Sequence, residues 1–188
     1  MQQTARPPLL RRLLMKTGKK FLRWNNNFQT RHSLIATTPK IDNSAFDWVP
    51  LLENNWQEIR AELDDLLKNP EKIPSFHQIS PDQKRISKGD NWKTFGFYVY
   101  GNRVDENCAI CPKTAELISA IPHMRTAMFS ILQPHYHIVP HKGPTRAVVR
   151  AHLGLIVPKE QEKLWIRVDD QKLHWEEGKV VLFDDSYE

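Results

Sequence analysis

The residues best suited to chemistry lie between Pro134 and Pro158, in the stretch PHYHIVPHKGPTRAVVRAHLGLIVP. Six of the eight histidines fall between His123 and His174. Neutral imidazole is the commonest metal ligand. His135, His137 and His141 stand at i, i+2 and i+6, so a single extended strand would point all three to one face. Spacing alone leaves two readings open, a metal-binding cluster or histidines on an exposed strand face. Arg150 and His152 are two residues apart and also share a strand face. A guanidinium can grip a carboxylate through two parallel hydrogen bonds, and an adjacent histidine can donate to another oxygen. The bland alternative is an exposed Arg–His pair.

Short β-branched and aromatic runs would hold these residues. NWKTFGFYVYG, TAMFSIL, YHIV, AVVRAHLGLIV, KLWIRVD and KVVLFDD are each bounded by Pro, Gly or Asp, which predicts strands about ten residues apart and a sandwich or barrel. Upstream, FDWVPLLENNWQEIRAELDDLLKN predicts one long helix, with Leu52, Trp56, Ile59, Leu63, Leu66 and Leu67 at helical spacing. Asn69-Pro70 ends it. The segment from Pro70 to Asp90 reads as a long loop. Pro112 to Ile121 reads as a second helix with proline at its start.

The average charge conceals an asymmetry. Nine of the 27 basic residues precede Asp42 and no acidic residue does, whereas the remainder sets 22 acidic residues against 18 basic ones. The pI of about 9.2 therefore reports a basic arm over residues 1–45, not a basic domain. Nucleic acid is not an expected partner, because its footprint would extend over the folded body. Leu10, Leu13, Leu14, Phe21 and Trp24 fall loosely on one helical face of the arm. It reads either as an amphipathic helix on an anionic membrane surface or as a solvated or packed helix. No apolar run reaches the ~20 residues that span a bilayer. With no secretory signal expected, the location read from the sequence is cytoplasmic, with peripheral contact to a membrane. Cys108 and Cys111 exclude a disulfide framework. Their C-x-x-C spacing has no second pair to complete a zinc site, so they read as ordinary thiols.

Three blocks, KGDNW with NRVDENCAICPKT, HKGPTRAVVRAHLGLIVPKE, and WEEGKVVLFDDSYE, together resemble the aspartyl/asparaginyl β-hydroxylase family from about Phe46 to Glu188. The resemblance implies one oxygenase domain over residues 46–188, dependent on Fe(II) and 2-oxoglutarate. The implied fold is mainly β with N-terminal helices, a double-stranded β-helix of the cupin-like jelly-roll kind with its final strands missing. It implies His141 as an iron ligand, and Ser130, Arg150 and His152 as contacts to 2-oxoglutarate. Non-haem iron commonly takes two histidines and a carboxylate, and here Gly143 stands at the carboxylate position. The resemblance implies glycine there, with water in its place. It also implies a second iron histidine next after Glu188 and a later arginine. The 188-residue chain therefore reads as C-terminally truncated and as a poor enzyme on its own. Asp184 and Asp185 read as a charged strand-end turn, or as groups supporting the iron ligands from behind. His174 lies on a different strand from the expected ligand.

The implied reaction is hydroxylation of an unactivated C–H, with the β-carbon of Asp or Asn in a peptide as the first substrate. One alternative is hydroxylation of a lipid A acyl chain, favoured by the basic arm and disfavoured by Gly143, since an aspartate is expected there in those relatives. A non-catalytic cupin-like binding module is the other.

Overall fold

The computed structural model describes residues 9–79, 86, 87 and 89–188. Arg6 and part of the 70–90 segment lie outside the described residues. Three small antiparallel sheets and several helices form the body. The chain opens with helix α1 (Leu9–Arg31) and then a two-residue strand, β1 (Lys40–Ile41).

The long helix expected over residues 46–69 is two helices, α2 (Val49–Asn54) and α3 (Trp56–Leu66). The break is at Asn55, whose side-chain amide donates to the carbonyl of Leu51 at 2.8 Å. Such local side-chain bonding competes with the helical ladder. A short helix, α4 (Phe76–Ile79), occupies part of the expected loop.

Strand β2 (Trp92–Val99) pairs with β3 (Asn102–Arg103) on one side and β4 (Ala127–Leu132) on the other. Thr94 stands opposite Ser130 and Phe95 opposite Phe129. Helices α5 (Asp105–Ile110) and α6 (Pro112–Ser119) connect β3 to β4. Glu62 of α3 caps α6. Its carboxylate accepts the Lys113 and Thr114 N–H groups at 2.8 Å each and the Thr114 hydroxyl at 2.6 Å. An anion at a helix N-terminus satisfies donors that the helix itself leaves unpaired.

Strand β5 (Arg150–Leu153), hairpin β6 (Ile166–Val168) with β7 (Gln171–Leu173), and β8 (Val180–Phe183) follow. β8 is the centre of the sheet β1-β8-β5. The core joins the two larger sheets to the helices. Phe97, Leu182, Cys108 and Cys111 are almost completely enclosed, beside Ile59, Leu63, Leu117 and Phe129. Phe97 meets Phe129 edge-on at 5.0 Å. Each such side chain contributes about 1.5–3 kcal/mol of burial.

The strand expected at YHIV does not form, and residues 136–149 run without regular structure. Pro134, Pro140 and Pro144 each remove a backbone donor, and His135 turns with φ of 62°. The argument that His135, His137 and His141 share one strand face therefore fails. AVVRAHLGLIV is strand only over Arg150–Leu153.

Candidate functional site

Strand β5 carries two of the expected site residues and β8 holds it in place. Arg150 pairs with Phe183 and His152 with Val181. The His152 ring meets Phe183 edge-on at 4.9 Å and lies nearly parallel to Trp175 at 6.0 Å. Indole nitrogen only donates, so the 3.3 Å contact from Trp175 Nε1 makes His152 Nδ1 an acceptor. The proton of the neutral ring then sits on Nε2, which can donate to a ligand. Burial pushes the His152 pKa down to about 4, and the charge of Arg150 acts in the same direction. The Trp175 and Phe183 rings flank the imidazole, while the residue as a whole stays exposed to solvent. At neutral pH it is an uncharged donor.

Arg150 donates from Nε to Asp185 Oδ2 at 2.7 Å. The same aspartate accepts the Gly143 N–H on its backbone carbonyl at 2.6 Å. A Cβ built on Gly143 would fall on the Asp185 carboxylate. Glycine is thus required here by close approach. The space that a side chain at 143 would fill is taken by a carboxylate arriving from 42 residues further along the chain. Asp184 has a different task. It is buried, and its carboxylate accepts the Ser186 N–H at 2.8 Å, closing the turn after β8.

His141 is exposed, in the irregular segment two residues before Gly143. Its Nδ1 lies 2.9 Å from the Val139 carbonyl. A carbonyl only accepts, so Nδ1 carries the proton and the lone pair is on Nε2, the arrangement a metal-binding imidazole needs. The Gly143–Asp185–Arg150 contacts tie this segment to β5. Ser130 is on the other sheet, where its hydroxyl accepts the Trp92 indole N–H at 3.0 Å. His174 points Nδ1 at the Leu164 carbonyl, at the base of the β6–β7 hairpin. Among the described residues, no group of three or more His, Cys, Asp or Glu side chains is placed to hold a metal ion. Among the described residues the donor set fits one imidazole ligand, His141, not a complete protein cage.

Arg146, absent from the sequence reading, ties three segments together. Its Nε donates to Ser186 at 3.2 Å and its Nη1 to Thr30 of α1 at 3.0 Å, and its guanidinium lies 4.9 Å from the centre of the Tyr187 ring. Only its place in the HKGPTR run could have drawn attention to it. Two surface clefts, about 410 Å³ beside Glu62 and Asn107 and about 360 Å³ beside Asn43 and Glu53, contain none of these residues. Cys108 and Cys111 are buried, and burial followed by the charge of Glu62 pushes the Cys111 thiol up to about 12.

The chain matches the family model described as aspartyl/asparaginyl beta-hydroxylase over residues 53–188. It is 39% identical, over 183 residues, to the ornithine lipid ester-linked acyl 2-hydroxylase of Rhizobium tropici, covering 97% of this chain and 64% of that one. It is 37% identical, over 173 residues, to the human aspartyl/asparaginyl beta-hydroxylase, covering 88% of this chain and 22% of that one. The chain therefore spans less than two thirds of the length of either relative.

Proposed function

The chain belongs to the aspartyl/asparaginyl β-hydroxylase family, and from that premise we propose that it serves an Fe(II)- and 2-oxoglutarate-dependent oxygenase that hydroxylates an unactivated C–H of a lipid-linked acyl chain. The observation that carries the chemistry is the joining of the His141 segment to the Arg150–His152 strand through Asp185 and Gly143. His141 would hold iron through Nε2. When bound, iron and 2-oxoglutarate would supply the activation of O₂, one oxygen atom entering the substrate C–H and the other the succinate formed as 2-oxoglutarate loses carbon dioxide.

The chain's own residues bind and orient. Arg150 and neutral His152 would hold 2-oxoglutarate carboxylate oxygens, Arg150 by charge-assisted bonds and His152 through its Nε2–H. Ser130 would add a hydroxyl on a jelly-roll arrangement of the two larger sheets. Asp185 fixes Arg150 and places negative charge beside Gly143, close to the segment of the iron ligand. The acyl-chain substrate is supported by the match to the lipid hydroxylase over 97% of the chain, helix α1 included. A cytoplasmic protein touching an anionic membrane through its basic arm belongs to the same reading. A second substrate, the β-carbon of Asp or Asn in a peptide, is favoured by Gly143 and by the match to the human β-hydroxylase.

The test is succinate production with Fe(II), 2-oxoglutarate and oxygen, comparing ester-linked acyl lipids with Asp-containing peptides. Lipid-stimulated turnover that His141→Ala abolishes is expected. Stimulation by the peptide alone would favour the second substrate. Turnover unaffected by His141→Ala would remove His141 from the iron.

A further inference from the structure

Helix α1 presents two faces. On one, Asn26, Gln29 and Thr30 are half-buried against the loop that follows His141. Asn26 donates to the Pro144 carbonyl at 3.4 Å and accepts the Arg146 N–H at 3.4 Å. Thr145 donates to Gln29 at 3.2 Å, and Arg146 to Thr30 at 3.0 Å. On the other face Phe21, Trp24 and Phe28 stand at i, i+3 and i+7, with 63%, 61% and 51% of their surface exposed. They form a ladder, with ring centres 5.9 Å apart from Phe21 to Trp24 and 6.0 Å from Trp24 to Phe28. His32 extends it, 4.3 Å from Phe28. Leu22 is also exposed.

Three adjacent exposed aromatics on one helix are not covered by the protein's own core, and the charge around them indicates what would cover them. The 23 residues of α1 contain seven Lys or Arg and no Asp or Glu. Pairing two copies through this stripe would bring two such helices together at a large repulsive cost. An anionic lipid surface offers both an apolar layer for the rings and countercharge for the flanking cations. No helix among the described residues is long and apolar enough to cross a membrane, so the helix would lie in the interface plane.

We infer that α1 is a membrane-docking helix that buries the Phe21–Trp24–Phe28 stripe in an anionic lipid surface while its polar face holds the loop following His141. A helix with its side chains is about 10–12 Å across, so docking would hold the candidate site within roughly that distance of the lipid headgroups. Arg146, bonded to α1 and to the turn after β8, is the joint between the docked helix and the site.

The inference deepens the membrane contact of the proposed function by naming the docking stripe, and its test needs neither iron nor cosubstrate, so the two can fail separately. The 188-residue protein is sedimented with phosphatidylcholine vesicles, with and without phosphatidylglycerol, at low and high salt. Sedimentation with the anionic vesicles is expected, weakening as salt screens the charges. Phe21→Ser/Trp24→Ser/Phe28→Ser should weaken it about tenfold or more, and Lys20→Glu/Arg23→Glu should abolish the preference for anionic lipid. Both variants alter exposed residues, and unchanged circular dichroism confirms that they fold. Absence of vesicle binding by the folded protein at low salt would overturn the inference, as would equal binding by the aromatic triple variant. A dimer in light scattering that the triple variant dissociates, with no lipid binding, would assign the stripe to a second copy instead.

Discussion

Replacing Gly143 with alanine is the sharpest probe of the candidate site. The residue's φ lies outside the left-handed region, so alanine suits the backbone and the conflict is purely steric. The added methyl lands on the Asp185 carboxylate, which cannot simply withdraw. Its main chain is held by the Gly143 N–H at 2.6 Å and its side chain by Arg150 at 2.7 Å. Overpacking of this kind costs about 1–3 kcal/mol. For a domain of this size each kcal/mol moves the melting temperature by roughly 2–4 °C, so Gly143→Ala should melt roughly 2–12 °C lower. The double-mutant cycle isolates the cause. In an Asp185→Ala background the three nearest obstructing atoms are gone, and alanine's smaller unfolded-state entropy contributes about 0.4–1 kcal/mol of stability. The sign of the substitution should therefore reverse. Thermal unfolding followed by circular dichroism on the four proteins measures this coupling. A cost at position 143 that is the same with and without the Asp185 carboxylate would refute the packing argument.

Further outcomes follow from the same geometry. Arg150→Ala should raise the 2-oxoglutarate requirement roughly ten- to hundred-fold, the equivalent of a charge-assisted hydrogen bond worth ~1.5–3 kcal/mol. Arg150→Lys should recover little of it, because an ammonium lacks the planar fork; titration with 2-oxoglutarate measures both. His152 resists protonation in the folded protein down to about 4, whereas the unfolded imidazole accepts a proton near 6.5. Its contribution to stability is therefore constant above about 6.5 and falls as pH drops from there through 4. Arg150 is the charge facing it, so His152→Gln should flatten the melting-temperature profile in that window. Arg146→Ala should speed amide exchange in both the second half of α1 and residues 184–188, since it releases Thr30, Ser186 and Tyr187 together. Cys108 and Cys111 should resist alkylation in the native protein and react on unfolding, being buried, with the Cys111 thiol held neutral.

The sequence was most legible where period and burial agree. TAMFSIL and NWKTFGFYVYG are strands because their alternate residues pack Phe95, Phe97 and Phe129 into one core. Arg150 and His152 were readable as a pair because two-residue spacing survives even in a four-residue strand. The His135–His141 segment misleads, since its alternation resembles a strand while Pro140 within it, and Pro134 and Pro144 on either side, lack the donors for a ladder. Asn55 split the expected long helix through a side-chain bond that hydrophobic spacing does not reveal. Asp185 was undervalued because its role depends on the chain end folding back onto Gly143, a contact between residues far apart in sequence. The inner face of α1 was hidden for a related reason. Asn26, Gln29 and Thr30 pack polar side chains on a polar loop, and apolar patterning detects only the aromatic face that stays exposed.

The central claim is that His141, Arg150 and His152 bind iron and 2-oxoglutarate together. Anaerobic titration tests it most directly, adding Fe(II) and then 2-oxoglutarate while following the visible charge-transfer band of their chelate. The band should develop as 2-oxoglutarate is added to the Fe(II)-loaded protein. It should be lost in His141→Ala and require more 2-oxoglutarate in Arg150→Ala. A folded protein that shows no band, or a band indifferent to His141→Ala, would contradict the account.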